Sequence, residues 1–332
     1  MFRISALKIR LTYVFLAVLL SVSQSCLAEK NVFVSTSFHE PANEGLRFIY
    51  SQDGIHWDSI PGAWLKPVIG NQKVLRDPSI TQTPDGTFHL VWTSSWKGDL
   101  GFGYAYSKDL IHWSKQQLIP VMKTEPSTVN VWAPEIFYDN DKGEFVVVWA
   151  SCIPNRFKRG QEDEKNNHRL YYITTKDFKT ISATKLLYDP GFSSIDATIV
   201  KRTKNDYVLV FKDNTRPNRN LKVAFAKSPT GPYSKASSTF SENFVEGPTV
   251  EKLGDRYLIY FDEYKKFSFG AIATKDFIHF SNVSKEVSVP KDHKHGTIFK
   301  ASSSIIDNLI KISHLSQIQK TDSTTTILSA VK

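Results

Sequence analysis

Five short stretches place a residue able to move a proton where an apolar run begins: Arg76-Asp77-Pro78-Ser79, Ala133-Pro134-Glu135-Ile136, Ile195-Asp196-Ala197-Thr198, Glu246-Gly247-Pro248-Thr249 and His295-Gly296-Thr297. A buried carboxylate is costly, so an acid at the head of an apolar run has a partner or a chemical task. One Asp-Pro alone is more often a turn or a strand start. Four carboxylates and a histidine brought together are different, because like charges at close range raise one another's pKa and so divide the giving and taking of a proton.

Something must bring them together, and an internal repeat shows what. An apolar strand ending in Ser or Thr, then Lys or Gln, then Asp, then an aromatic residue returns as FIYSQDGIHW (48–57), YAYSKDLIHW (104–113), YYITTKDFKT (171–180) and AIATKDFIHF (271–280), with AFAKSPTGPY (224–233) as a variant. Each copy follows two further short β-like runs, so each unit reads as four strands, the make-up of a propeller blade. A sandwich of hairpins has no reason to repeat such a unit. The expected fold is therefore all-β, a five-bladed β-propeller over 29–315. Its ring closes where N-terminal strands (NVFVSTS, RFIYS and the run around Trp57) pair with HGTIFKA near the C-terminus, which supplies the inner strand. The five proton-moving stretches are the inner strands, and they converge on the central channel. One helix is expected, in SSSIIDNLIKIS, with Ile305, Ile306, Leu309 and Ile310 near helical spacing.

The chain is 332 residues long, enough to bury a large core, with 13% aromatic and 23% charged residues, which argues against disorder. Arg3, Lys8 and Arg10 precede the apolar run LTYVFLAVLLSV, a secretory leader over 1–28. Cleavage after Ala28 and cleavage before a lipidated Cys26, as in a bacterial lipoprotein, both fit, so the expected location is exported: periplasmic, anchored at the outer membrane, or secreted. Cys152 is then left without a partner and no internal disulfide is expected. Loss of the three leader cations takes the formal charge from +9 to +6. Lys and Arg are scattered among acids, so nucleic acid is not an expected partner. A monomer is expected, with 316–332 as an unassigned tail.

The ordered set RDPS, VWAPEI, SIDAT, VEGPT and HGT resembles glycoside hydrolase family 43, over roughly residues 33–312. The resemblance implies an exported five-bladed propeller that removes arabinose, xylose or galactose from polysaccharides. It also implies roles: Asp77 as general base, Asp196 as the modulator of a neighbouring pKa, Glu246 as general acid. Ala197 stands where family members commonly have Pro. The chemistry agrees with these roles, since inverting hydrolysis needs an acid on the leaving oxygen and a base on water across the sugar, about 6.5–9.5 Å apart. No cofactor is required. The family's histidine in the channel raises the expectation of a structural calcium near His295.

Sugar recognition needs aromatic faces and charged donors. Trp132, Trp96 and Phe192 are the candidate faces, and Arg76, Lys212 and Arg216 the candidate donors. Trp57, Trp92 and Trp113 are expected to pack between or within blades. Glu135 is expected either to touch sugar or to hold a cation in the channel, and the long charged loop 152–168 to shape the leaving-group side. Among enzymes, an exo-β-galactosidase of the same family is the alternative. A non-catalytic carbohydrate-binding propeller is the alternative from outside enzymes. The NDPNG-like start and Glu-Cys motif of fructoside-cleaving relatives are absent, and three acids argue against a phosphorylase.

Overall fold

The computed structural model describes residues 31–315; the expected leader, with Cys26, and the tail from 316 lie outside the described residues. The strands run in chain order. β1 (Asn31–Ser37), β2 (Leu46–Ser51) and β3 (Asp58–Leu65) come first, then β4 (Arg76–Gln82), β5 (Phe88–Thr93), β6 (Phe102–Ser107) and β7 (Gln117–Ile119). β8 (Trp132–Asp139), β9 (Glu144–Cys152), β10 (His168–Thr175) and β11 (Lys185–Tyr188) follow, then β12 (Ser194–Thr203), β13 (Asp206–Asp213) and β14 (Asn220–Ala226). β15 (Glu246–Leu253), β16 (Arg256–Glu263), β17 (Ser268–Thr274), β18 (Phe280–Asn282) and β19 (Ile298–Ser302) complete the set. They form five antiparallel sheets, the blades of a β-propeller: β4-β5-β6-β7, β8-β9-β10-β11, β12-β13-β14, β15-β16-β17-β18 and β19-β1-β2-β3. The last is the split blade, with Val34 of β1 opposite Phe299 of β19.

Alternation of side chains along each strand gives a blade two apolar faces, one for each neighbour. In β9, Val147 and Trp149 face the first blade while Val146 and Val148 face the third. Five separate apolar clusters result, one at each junction between blades. Trp92 and Trp57 are buried in two of them, and Trp113 packs against one. α1 (303–315) follows β19 and lays buried Ile306 and Leu309 over the junction of the fifth and first blades.

The repeat is turn chemistry. In each of four copies the Ser or Thr hydroxyl accepts from the amides two and three residues on, and the Asp carboxylate does the same from its own position. This stacks two side-chain-capped turns at the blade periphery.

The third blade departs from the four-strand expectation. Residues 234–240 run beside β14 but bond to it at every third residue, Ser234 N to Phe225 O (2.8 Å), Ser237 N to Val223 O (2.9 Å) and Phe240 N to Leu221 O (3.2 Å). The strand amides of β14 are taken instead by the hydroxyls of Ser234, Ser237 and Ser241. Serines at that spacing replace the fourth strand with side-chain bonds.

Candidate active site

Each inner strand of the first four blades carries the same bulge. Two residues stand opposite one, between Arg76 and Ser79 on β4, Trp132 and Glu135 on β8, Ile195 and Thr198 on β12, and Glu246 and Thr249 on β15. The first extra residue is left-handed in every case: Asp77 (φ 49°), Ala133 (φ 45°), Asp196 (φ 50°) and Gly247 (φ 59°). Bulges re-aim side chains, and this conformation is uncommon outside glycine. At Gly247 there is a second reason for glycine, since a Cβ there would lie 2.4 Å from Cγ of His295.

The bulges deliver Asp77, Asp196 and Glu246, and the segment before β19 delivers His295, to one pocket of about 320 Å³, with Arg76, Lys212, Arg216, Trp96 and Trp132 also on its walls. Asp77 accepts from Thr93 Oγ1 (2.9 Å) and faces His295 Nδ1 at 3.3 Å. Thr93 Oγ1 also accepts from Ala133 N (2.8 Å), so one hydroxyl ties the first two blades together at the site. Asp196 Oδ2 accepts from Gly247 N (3.1 Å), and Glu246 accepts from Lys212 Nζ (2.8 Å).

The three acids are not equivalent. Burial pushes Asp77 up, but the hydrogen bond and charge of His295, then Arg76 and Thr93, outweigh it and hold the carboxyl below its ordinary value. Asp196 rises to about 6, mainly by burial, with the charges of Glu246 and Asp77 adding to it against His295 and Lys212. Burial also pushes Glu246 up, yet Lys212 wins and lowers it. Of the two neighbouring carboxyls the raised one is thus Asp196, and Glu246, the expected general acid, is lowered by the Lys212 ammonium that contacts it. His295, which burial alone would lower, is raised to about 9 by Asp77, Asp196 and Glu246.

Trp96 and Trp132 meet edge to face with ring centres 5.5 Å apart, and Trp132 Nε1 donates to Trp96 O (3.0 Å). Arg76 lies over the Trp96 ring (4.0 Å) and pairs with Glu40 at 2.5 Å, so its guanidinium is clamped. His168 stacks behind Trp132 at 4.8 Å. The loop after Cys152 is anchored by its Sγ donating to Glu164 O (2.8 Å) and by Arg169 on Asp189 (2.5 Å), and it contributes Asn166 to the pocket.

Two residues lie elsewhere than expected. Glu135 is level with Ser79, Thr198 and Thr249, past the bulge, and lines a separate cavity of about 260 Å³. There it accepts from Thr198 Oγ1 (2.7 Å) and Thr297 Oγ1 (3.1 Å), outside the pocket of the other acids and, among the described residues, without a Lys or Arg partner. Phe192 is claimed by the apolar cluster of the second and third blades, stacking near Phe211 at 6.4 Å. Near His295, where a calcium is expected, Nδ1 faces Asp77 at 3.3 Å, and the described residues hold no group of three or more His, Cys, Asp or Glu placed to bind a metal. Sequence reasoning missed Thr93, Asn166, Asn214 and Arg219, which also line the pocket. Arg219 had a signal, its place in the same loop as Arg216.

Residues 31–306 match the family described as "Probable glycosyl hydrolase domain", which is related to glycoside hydrolase family 43. A 125-residue segment is 26% identical to an α-L-arabinofuranosidase of Bifidobacterium longum, covering 34% of this chain and 12% of that protein. The α-L-arabinofuranosidase from Lactobacillus brevis shares the fold at a TM-score of 0.50 and 18% identity, over 63% of this chain and 72% of that one. An exo-β-1,3-galactanase from Phanerochaete chrysosporium superposes at a TM-score of 0.49 and 16% identity, over 63% and 49% of the two chains. With the family matched over nearly the whole propeller, and three carboxylates delivered to one pocket by its inner strands, this chain belongs to the glycoside hydrolases allied to family 43.

Proposed function

We propose that the chain hydrolyses pentoside bonds in polysaccharide side chains, α-L-arabinofuranosides or β-D-xylosides, with inversion at the anomeric carbon. Asp77 takes the proton from water, Glu246 protonates the leaving oxygen, and Asp196 sets the charge that Glu246 faces. The observation that carries this reading is the division within one pocket: Asp77 is kept ionised beneath His295 and Arg76, while Asp196 keeps a proton up to about pH 6. Lys212 is the electrostatic obstacle, because it favours the ionised form of Glu246. A sugar hydroxyl that draws Lys212 Nζ away leaves Glu246 with burial and the charge of Asp77, both of which raise it, against the charge of His295 alone. The arabinofuranosidase relative supports the pentose, and the leader between Arg3 and Ala28 supports export as part of the same proposal.

The test is hydrolysis of 4-nitrophenyl α-L-arabinofuranoside, β-D-xyloside and β-D-galactoside, with proton NMR of the first sugar released. Release of the inverted anomer from a pentoside is expected. A retained anomer overturns the mechanism, and galactoside cleavage alone overturns the pentose. The depressed Glu246 favours one other reading, a propeller that binds sugar without cutting it. Under that reading none of the three is hydrolysed, while calorimetry still records sugar binding.

A further inference from the structure

The third blade adds to the pocket a pair of arginines that proton transfer does not use. Arg216 and Arg219 leave β13 together and both line the pocket, their side chains 59% and 26% exposed. They share one counter-charge, Glu162 of the loop after Cys152, whose side chain is 2% exposed. Neither makes a hydrogen bond to it: Arg216 Nε is 3.6 Å from Oε2 and Arg219 Nη2 is 3.8 Å from Oε1. The close contact to Glu162 comes from the backbone, Arg216 N donating at 3.0 Å. Arg219 Nε and Glu162 Oε2 are buried without a hydrogen-bond partner. Asp163 is near, and its carboxylate accepts from Lys165 N and from Asn166 Nδ2.

The wall is nevertheless fixed. Arg219 N donates to Thr215 O (3.1 Å), and Arg219 O accepts from Phe244 N (2.8 Å) and Val245 N (3.2 Å). Two guanidiniums on a rigid loop, sharing a single carboxylate at more than hydrogen-bond distance, present forked donors to whatever enters the pocket. Neutral hydroxyls use such donors one at a time. An oxyanion can use both at once.

We propose that Arg216 and Arg219 recognise an oxyanion carried by the substrate, a uronic acid carboxylate or a sulfate ester on a sugar at or next to the bond cleaved. The proposal rests on the hydrolase reading above and narrows its substrate to an acidic glycan.

The experiment compares kcat/KM on matched xylo- or galacto-oligosaccharides that are neutral, glucuronidated or sulfated, for the wild-type chain and for Arg216→Gln and the Arg216→Gln/Arg219→Gln pair. One anionic form is expected to exceed the neutral one by about tenfold to a hundredfold. That ratio should fall with added salt and collapse in the variants; the arm that shows it names the anion. Equal kcat/KM on all three by the wild type overturns the proposal, and so does a ratio that survives in Arg216→Gln, which is the more exposed and better tolerated change. If no oligosaccharide is cleaved, the hydrolase reading has failed instead. Calorimetric titration with free glucuronate and galactose 6-sulfate then decides, binding of either over its neutral sugar supporting the wall and binding of neither overturning it.

Discussion

The first and third blades set an aspartate at the same point of the same bulge, at φ 49° and 50°, and shift the two carboxyls in opposite directions. Asp77 has a hydroxyl, an imidazolium and a guanidinium around it. Asp196 has one backbone amide and lies within reach of two other carboxylates. Backbone placement is shared, so the difference is made by the surrounding side chains, Arg76 and Thr93 of the first blade and His295 beside Asp77 against Glu246 and Asp77 beside Asp196. Ala133 and Gly247 occupy the same bulge position without an acid, which makes the bulge a scaffold into which chemistry is written by side chain.

The strongest way to break the comparison is to neutralise Asp77. Asp77→Asn keeps shape and the Thr93 contact but removes the base, and kcat/KM on a pentoside should fall by about 10²–10⁴-fold with the melting temperature little changed. A rate near wild type would falsify the assignment of the base.

His295→Gln should blur the two blades rather than erase one. Without the imidazolium, Asp77 titrates at higher pH and the acidic limb of the kcat/KM profile moves up. Stability carries a second signature. His295 is raised from 6.5 to about 9, so its contribution is complete below about pH 6.5 and lost as pH rises through 9. The wild type should lose more melting temperature than His295→Gln between pH 6 and 9.5, and parallel losses would sink this account.

Asp196→Asn sharpens the contrast through stability. A carboxyl raised from 3.8 to about 6 costs the folded state as it ionises. The amide should therefore gain up to about 3 kcal/mol at pH 7, a gain absent below pH 4, while activity falls. Denaturant melts at the two pH values measure it, and a gain that is the same at both would point to packing instead.

Glu135→Gln should have the smallest effect. It lies outside the pocket in a ring of hydroxyls, with its carboxyl raised by burial, so kcat/KM should stay within about twofold and the melting temperature at pH 7 should hold or rise slightly. Loss of turnover would return Glu135 to the sugar site.

The propeller was legible because its turns and its alternation are local, written in residues two and three apart. The three acids were legible for a related reason, since each sits beside the small residues or prolines that a bulge at a crowded axis requires. The layer of Glu135 was not read correctly, although the signal was there. Setting Pro134 against Pro78 and Pro248 puts Ala133 level with Asp77 and Gly247, and Glu135 level with Ser79 and Thr249. A shift of two residues along a strand is a different floor of the channel. Lys212 on Glu246 was not legible as an ion pair, because it joins β13 to β15 through a geometry no spacing encodes. The missing fourth strand of the third blade was hidden by serines that hydrogen-bond as a strand would.

The split fifth blade has a consequence for the order in which the molecule becomes competent. β1 waits for β19, and His295, which keeps Asp77 ionised, stands three residues before that last strand. A chain emerging from the ribosome can complete four blades and still have an open ring, an unpaired inner edge on β1 and a base with no imidazolium beside it. Assembly of the catalytic charge is thereby coupled to arrival of the final strand, and a nascent or truncated chain that stops before Ile298 has its carboxylates but not the closure that tunes them.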